Sequence, residues 1–299
     1  MVFSRFNFFV FVFLFNIAAT TFSTDQDYLV DMVIFSFDRP LQLYALLESA
    51  AKYITGNGEV HIIYRASNEQ YGNGYQMVQR DFSGAIYHKQ GNNPRQDFKP
   101  LTLDATFKSP HAFVVFAVDD IIVKDYIDLR DCALLLQKTD AYGFYLRLGR
   151  NLNYCYSLNR SQPLPPLQAI FDDVYSWQIS TGSGDWGYPN SVDMTVVRKS
   201  DIKSWFYNMQ YHHPNTLEAA WSRKTHAVQH RCGLCYGQSK IVNLPLNRVQ
   251  HEYQNRCMDV PPHELLATFM QGLKIDINPL FKIQNKSAHM EYGLTFIER

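Results

Sequence analysis

The segment Ala112–Val118 (AFVVFAV) is wholly apolar and ends in two adjacent carboxylates, Asp119 and Asp120. A run of that length, rich in Val and Phe, reads as a strand covered on both faces, and strands of that kind belong to parallel sheets flanked by helices. The charged pair stops the run, so both aspartates fall at the carboxyl end of the strand. In open α/β sheets that is where ligands sit.

The rest of the chain supports the same architecture. Leu29–Ser36 is a second apolar strand, stopped by Asp38-Arg39-Pro40. Asp38 can cap a helix and Pro40 suits its first turn. Leu43, Leu46, Leu47, Ala50 and Ile54 then recur at helical spacing. Further strands are expected at Glu59–Tyr64, Ala85–His88, Tyr142–Leu148, Val192–Arg198 and Lys240–Leu244. Helices are expected over residues 97–108, 126–138, 200–209 and 263–272, with another opening at Pro214, and a polar loop holds Gly72 and Gly74. Alternation of this kind predicts a mostly parallel central sheet with helices on its flanks, formed by residues 25–299 as one domain.

Composition narrows the function classes. With 46% hydrophobic residues the chain can bury a large core, and its formal charge is zero, so nothing in the total points to nucleic acid. Residues 1–24 stand apart: Arg5, about 14 apolar residues, then small residues before Asp25. This layout suits a secretory signal peptide, and the run is shorter than the ~20 residues of a spanning helix. An uncleaved anchor is the alternative, so the chain is exported or membrane-anchored in either case. Five cysteines leave at least one thiol unpaired in a monomer. Cys232-Gly-Leu-Cys235 suits a local disulfide or two inert thiols better than zinc, because no second Cys pair exists. Asn159-Arg-Ser161 and Asn285-Lys-Ser287 are glycosylation sequons.

Ile34-Phe-Ser-Phe-Asp38-Arg39-Pro40-Leu-Gln-Leu43 resembles the first strand and turn of GT-A-type glycosyltransferases. Phe116-Ala-Val-Asp119-Asp120-Ile-Ile resembles their aspartate motif, and Val242-Asn-Leu-Pro-Leu-Asn-Arg-Val249 is similar to a stretch in bacterial members. Their pattern is often Asp-x-Asp, whereas Val118 stands at the first position here.

The resemblance implies a GT-A-like fold, a nucleotide-sugar donor and a glycan or other hydroxyl acceptor. It implies Mn²⁺ or Mg²⁺, whose preference for carboxylate oxygen suits a strand-end pair that would otherwise repel. Asp120 would be the direct metal ligand, with His289 or His251 as a further one, and Asp119 would bind the ribose or a group around the metal. Asp38 and Arg39 would lie near base and ribose, and Arg95 and Lys99 would contact the diphosphate.

Two acids compete for the role of general base. Glu218 is either that base or, with Asn215, part of a helix capping box. Asp185 is the second candidate, in Gly182-Ser-Gly-Asp185-Trp186-Gly-Tyr188, where Trp186 could stack on a sugar. Two other functions fit the strand-end carboxylates: a catalytically inert GT-A-like secreted binding protein, or a nucleotidyltransferase.

Overall fold

The computed structural model describes residues 28–249 and 255–299. The expected leader at 1–24 and His251 lie outside the described residues.

Ten elements make up the amino-terminal half: β1 (Val30–Phe37), α1 (Pro40–Tyr53), β2 (Asn57–Arg65), α2 (Glu69–Asp81), β3 (Ile86–Lys89), α3 (Pro94–Phe107), β4 (Phe113–Val118), β5 (Ile121–Val123), α4 (Leu129–Lys138) and β6 (Gly143–Tyr145). Next come β7 (Gln168–Phe171), β8 (Val174–Gln178), β9 (Thr195–Arg198), α5 (Lys199–Asn208), α6 (Pro214–Ser222), β10 (Cys232–Tyr236), β11 (Ile241–Asn243), α7 (Pro262–Met270), β12 (Leu273–Ile275) and β13 (Phe296–Glu298). Four two-residue strands and four short 3₁₀ helices complete the elements of the described residues.

Nine strands form one sheet in the order β7-β8-β10-β6-β9-β4-β1-β2-β3. Pairing is parallel across β4-β1-β2-β3 and between β6 and β10. Strand β9 is antiparallel to both β4 and β6, and β8 is antiparallel to both β10 and β7. Taken along the sheet, only β8 and β9 therefore run against β1. The expected α/β class and mainly parallel sheet are both present.

Alternation along β1 and β4 buries both faces. Ile34 and Val115 join one core with Leu43 and Leu46 of α1 and Leu136 of α4. Phe35 and Phe116 join another on the opposite face, with Phe98 of α3, Phe206 of α5 and Trp221 of α6. This is why the strands read as unbroken apolar runs.

Two local expectations fail for physical reasons. Residues 69–81 are a helix, not a polar loop. Asn68 caps it by accepting from the Tyr71 amide at 3.1 Å, and Tyr71, Gly74, Tyr75 and Val78 form its buried stripe. Gly74 sits where a Cβ would come within 2.7 Å of Pro40, so the glycine lets α2 close against the start of α1. Asp38 does not cap α1. It adopts φ +53, and its carboxylate accepts from the Ser67 amide at 2.8 Å. Cys232 and Cys235 lie three residues apart on β10 and so face opposite sides of the sheet. All five cysteines are free, so of the two alternatives for this pair it is the unpaired thiols that are present.

At the amino-terminal end of β1, Asp31 is fully buried and held by Lys199 Nζ at 2.6 Å, His111 Nδ1 at 2.6 Å and the Glu59 amide at 2.8 Å. This cluster ties β1, β2 and α5 together away from the carboxyl ends of the strands. Among the described residues no helix is long and apolar enough to cross a membrane.

Candidate active site

The carboxyl ends of β1 and β4 open into a cleft of about 880 Å³. Register sets its floor: Phe35 pairs with Val118, so the chain leaves both strands side by side at Ser36-Phe37 and Asp119-Asp120.

Asp119 turns inward. Its carboxylate accepts from Ser36 Oγ at 2.8 Å, from the Phe37 amide at 3.3 Å and from Arg39 Nη1 at 2.9 Å. Ser36 spends its proton on Asp119, so the Tyr75 hydroxyl donates to Ser36 at 2.7 Å, and Tyr75 in turn accepts from the Arg39 amide. Asp119 thus holds three donors from the chain itself while lining the cleft beside Asp120.

Asp120 faces the cleft. Its Oδ2 lies 3.3 Å from Arg39 Nη1, and its Oδ1 accepts from Asn243 Nδ2 at 2.9 Å. The antiparallel pairing of β5 with β11, which sets Ile121 opposite Asn243, brings this asparagine in. Burial pushes the Asp120 carboxyl up to about 6; Arg39 opposes the shift, while the charges of Asp119 and Asp193 add to it. Arg39 is anchored from the other side, since Nε donates to Asn247 Oδ1 at 2.8 Å and Nη2 to the Asn247 carbonyl. Burial disfavours its charge, but Asp119 and Asp120 outweigh that and hold the guanidinium protonated.

His289 approaches Asp120 from the chain end. An isolated bridge pairs it with Asn243, its ring stacks on Tyr156, and its Nδ1 is buried without a partner. Among the described residues no three His, Cys, Asp or Glu side chains gather around one point. Asp120 and His289 nevertheless supply oxygen and nitrogen atoms of the kind that Mn²⁺ and Mg²⁺ accept, and the unpartnered Nδ1 fits such a group.

Glu218 lines the same cleft from the middle of α6. It is not part of a capping box; that role falls to His213 and Thr216. Its Oε1 accepts from the Val192 amide at 3.1 Å. Burial, then the charge of Asp193, push its carboxyl up to about 7. Asp193, which lies inside an expected strand and carries no motif of its own, acts on both Asp120 and Glu218. The residue after it, Met194, is fully buried at φ +49, an unfavourable conformation for a side chain with a Cβ.

The remaining expected residues divide. Arg95 and Asp185 line the cleft. Asp185 is engaged by Gln162, whose Nε2 donates to it at 3.2 Å. Lys99 does not reach the cleft; its Nζ binds the carbonyls of Tyr207 and Met209 at the end of α5, at 2.9 and 2.6 Å. Trp186 cannot stack on a sugar, because it is 1% exposed, packed edge-on to Trp177 and donating to the Leu152 carbonyl. Tyr188, 37% exposed, is the aromatic that this segment gives the cleft. Arg147, 3% exposed, was also missed. It donates to Thr195 Oγ1 at 2.8 Å and to the Tyr188 carbonyl at 2.6 Å. A lone arginine in the apolar run Tyr142–Leu148 was its signal.

Fold and cleft together define an α/β protein whose polar, carboxylate-bearing site stands at strand ends. No family model matches the chain. Over 263 residues it is 27% identical to the bifunctional glycosyltransferase pgtA of Dictyostelium discoideum. That match covers 77% of the chain and 33% of pgtA, so the chain spans about a third of the length of this relative. Among solved structures, S. aureus TarS aligns with TM-score 0.47 at 14% identity, covering 71% of this chain and 36% of that one. TarS 1–349 in complex with UDP aligns with TM-score 0.45 at 13% identity, covering 71% and 59%. A UDP-glucose pyrophosphorylase complexed with UDP-glucose aligns with TM-score 0.39 at 10% identity, covering 81% and 99%. The resemblance to glycosyltransferases noted in the motifs thus extends to sequence similarity over most of the chain.

Proposed function

We propose that the chain transfers a glycosyl group from a nucleotide-sugar donor to a hydroxyl acceptor. The observation that carries this reading is the pairing, in one cleft, of a strand-end carboxylate facing outward, Asp120, with a buried acid raised to about 7, Glu218. Sequence similarity to pgtA supports it.

In this reading Glu218 accepts the proton of the acceptor hydroxyl as that oxygen attacks the anomeric carbon. A base poised near neutral pH is what such a step requires, and general base action typically contributes about 10²- to 10⁴-fold. Asp120 and His289 hold Mn²⁺ or Mg²⁺, which when bound offsets negative charge on the departing nucleoside diphosphate. Arg39 fixes the Asp120 carboxylate in place, and Arg95 lies at the cleft wall as a diphosphate contact. Tyr188 offers a face for a sugar ring. Direct attack assisted by a base inverts the anomeric centre.

The test is a panel of nucleotide sugars with Mn²⁺, comparing wild type with Asp120→Ala. Nucleotide binding and donor turnover by the wild type, lost in the variant, are expected. A wild type that binds no nucleotide would sink the reading. Binding without turnover across acceptors would favour the inert binding protein.

A further inference from the structure

The stretch Val242–Val249 brings two buried asparagines to the cleft, and each leaves half of its amide unpartnered. Asn247 is 6% exposed; its Oδ1 holds Arg39 while its Nδ2 has no acceptor. Asn243 is 5% exposed; its Nδ2 holds Asp120 while its Oδ1 has no donor. Leaving a buried polar atom unpaired costs about 1–3 kcal/mol. For Asn243 the neighbouring unpartnered atom is informative, since His289 Nδ1, across the bridge, is also buried and unpaired.

Resting on the metal-assisted reading above, we infer that Asn243 is a third protein ligand for the divalent cation, taking the place that Val118 leaves in the aspartate motif. Rotation about the last side-chain torsion exchanges Oδ1 and Nδ2. The oxygen then stands where the nitrogen is now, 2.9 Å from Asp120 Oδ1. Adjacent oxygens on an octahedral cation with bonds of about 2.0–2.1 Å lie about 2.9 Å apart, so the spacing needs no change. The turn leaves the number of unpartnered amide atoms at one, with Nδ2 replacing Oδ1. Without a cation, the donating nitrogen is the better neighbour for a carboxylate; with one, the oxygen is. The backbone on either side is fixed, because the Asn243 amide donates to the Ala288 carbonyl and the Met290 amide to the Asn243 carbonyl, each at 2.9 Å. Only the amide has to move. Asp120, Asn243 and His289 would then hold the cation together.

Mn²⁺ binding, read from loss of the free-ion EPR signal with and without UDP, tests this without any turnover. Asn243→Ala should weaken Mn²⁺ binding by about 10-fold or more. Asn243→Asp, which adds a charged oxygen, should retain or tighten it. Melting curves in EDTA establish that each variant is folded, and Asn243→Asp alone decides the matter where Asn243→Ala does not fold. Unchanged Mn²⁺ binding in Asn243→Ala, or its loss in folded Asn243→Asp, overturns the assignment while the wild-type metal site stands. A wild type that binds no Mn²⁺ even with UDP overturns the metal reading and the asparagine with it.

Discussion

Arg39 Nη1 lies 2.9 Å from Asp119 and 3.3 Å from Asp120, so one guanidinium just past the end of β1 bridges the two like charges at the end of β4 and offsets their repulsion. Removing it leaves two adjacent, largely buried carboxylates facing each other. Arg39→Ala should therefore lower stability by about 3–5 kcal/mol at pH 8, as for other buried pairs that lose one partner. The loss should shrink at pH 5, below the raised value of about 6 at Asp120, where that carboxyl carries a proton. Urea denaturation at the two pH values measures both effects.

Glu218 should set the acid limb of transfer. A base raised to about 7 is protonated below that pH, so the rate should climb as pH rises through it. Glu218→Gln should keep nucleotide binding, lose about 10²- to 10⁴-fold in transfer and flatten the limb. The effect on folding has the opposite sign. A carboxyl raised above its ordinary value contributes stability that is full below that value of 4.5 and is lost as pH rises to about 7. Glu218→Gln should thus melt higher than wild type at pH 8 and close to it at pH 5.

Trp186 and Tyr188 should separate stability from binding. Trp186→Ala empties a site 1% exposed and should cost about 3–5 kcal/mol, whereas the milder Trp186→Phe should leave nucleotide-sugar affinity unchanged. Tyr188→Ala should do the reverse, with a small change in melting and weaker binding of an acceptor sugar. Calorimetric titration beside melting curves distinguishes the two.

Asp31 should matter to the fold and not to the cleft. Burial raises its carboxyl, but bonds from Lys199, Ser109 and His111 outweigh that and hold it below its ordinary value. Its contribution is therefore present above the ordinary value and lost as pH falls through the lowered one. Asp31→Asn leaves Lys199 buried without a counter-charge and should cost about 3–5 kcal/mol at pH 7, with Mn²⁺ binding unchanged.

The strand ends were legible because their signal is local. Six apolar residues from Phe113 to Val118 and two acids need no partner to be recognised. What was missed depends on distant chain. Helix α2 hides behind Gly72 and Gly74, and the close approach of Pro40 and Leu266 explains why a glycine stands at position 74 of a helix. Trp186 sits in a glycine-rich turn that reads as exposed, yet Trp177, Leu152 and Tyr145 enclose it from other elements. Lys99, expected at the diphosphate, instead anchors the far end of α5, because the carbonyls that hold it come from chain 108 and 110 residues away. Asn243 carries no charge and sits on a strand of three residues; β5 has to pair with β11 before it meets Asp120, 123 residues away.

The two sequons have different fates. Asn159 stands on an exposed turn, whereas Asn285 is 4% exposed, its Oδ1 accepting from Ser239 and Asn151 and its Nδ2 donating to the Ser287 carbonyl at 2.8 Å. A sugar on that nitrogen has no room in the finished fold. In a host that attaches glycans to nascent chains, folding and modification compete for Asn285, and each chain modified there first is lost to the native state. Yield from such a host should therefore depend on this buried position more than on the exposed one.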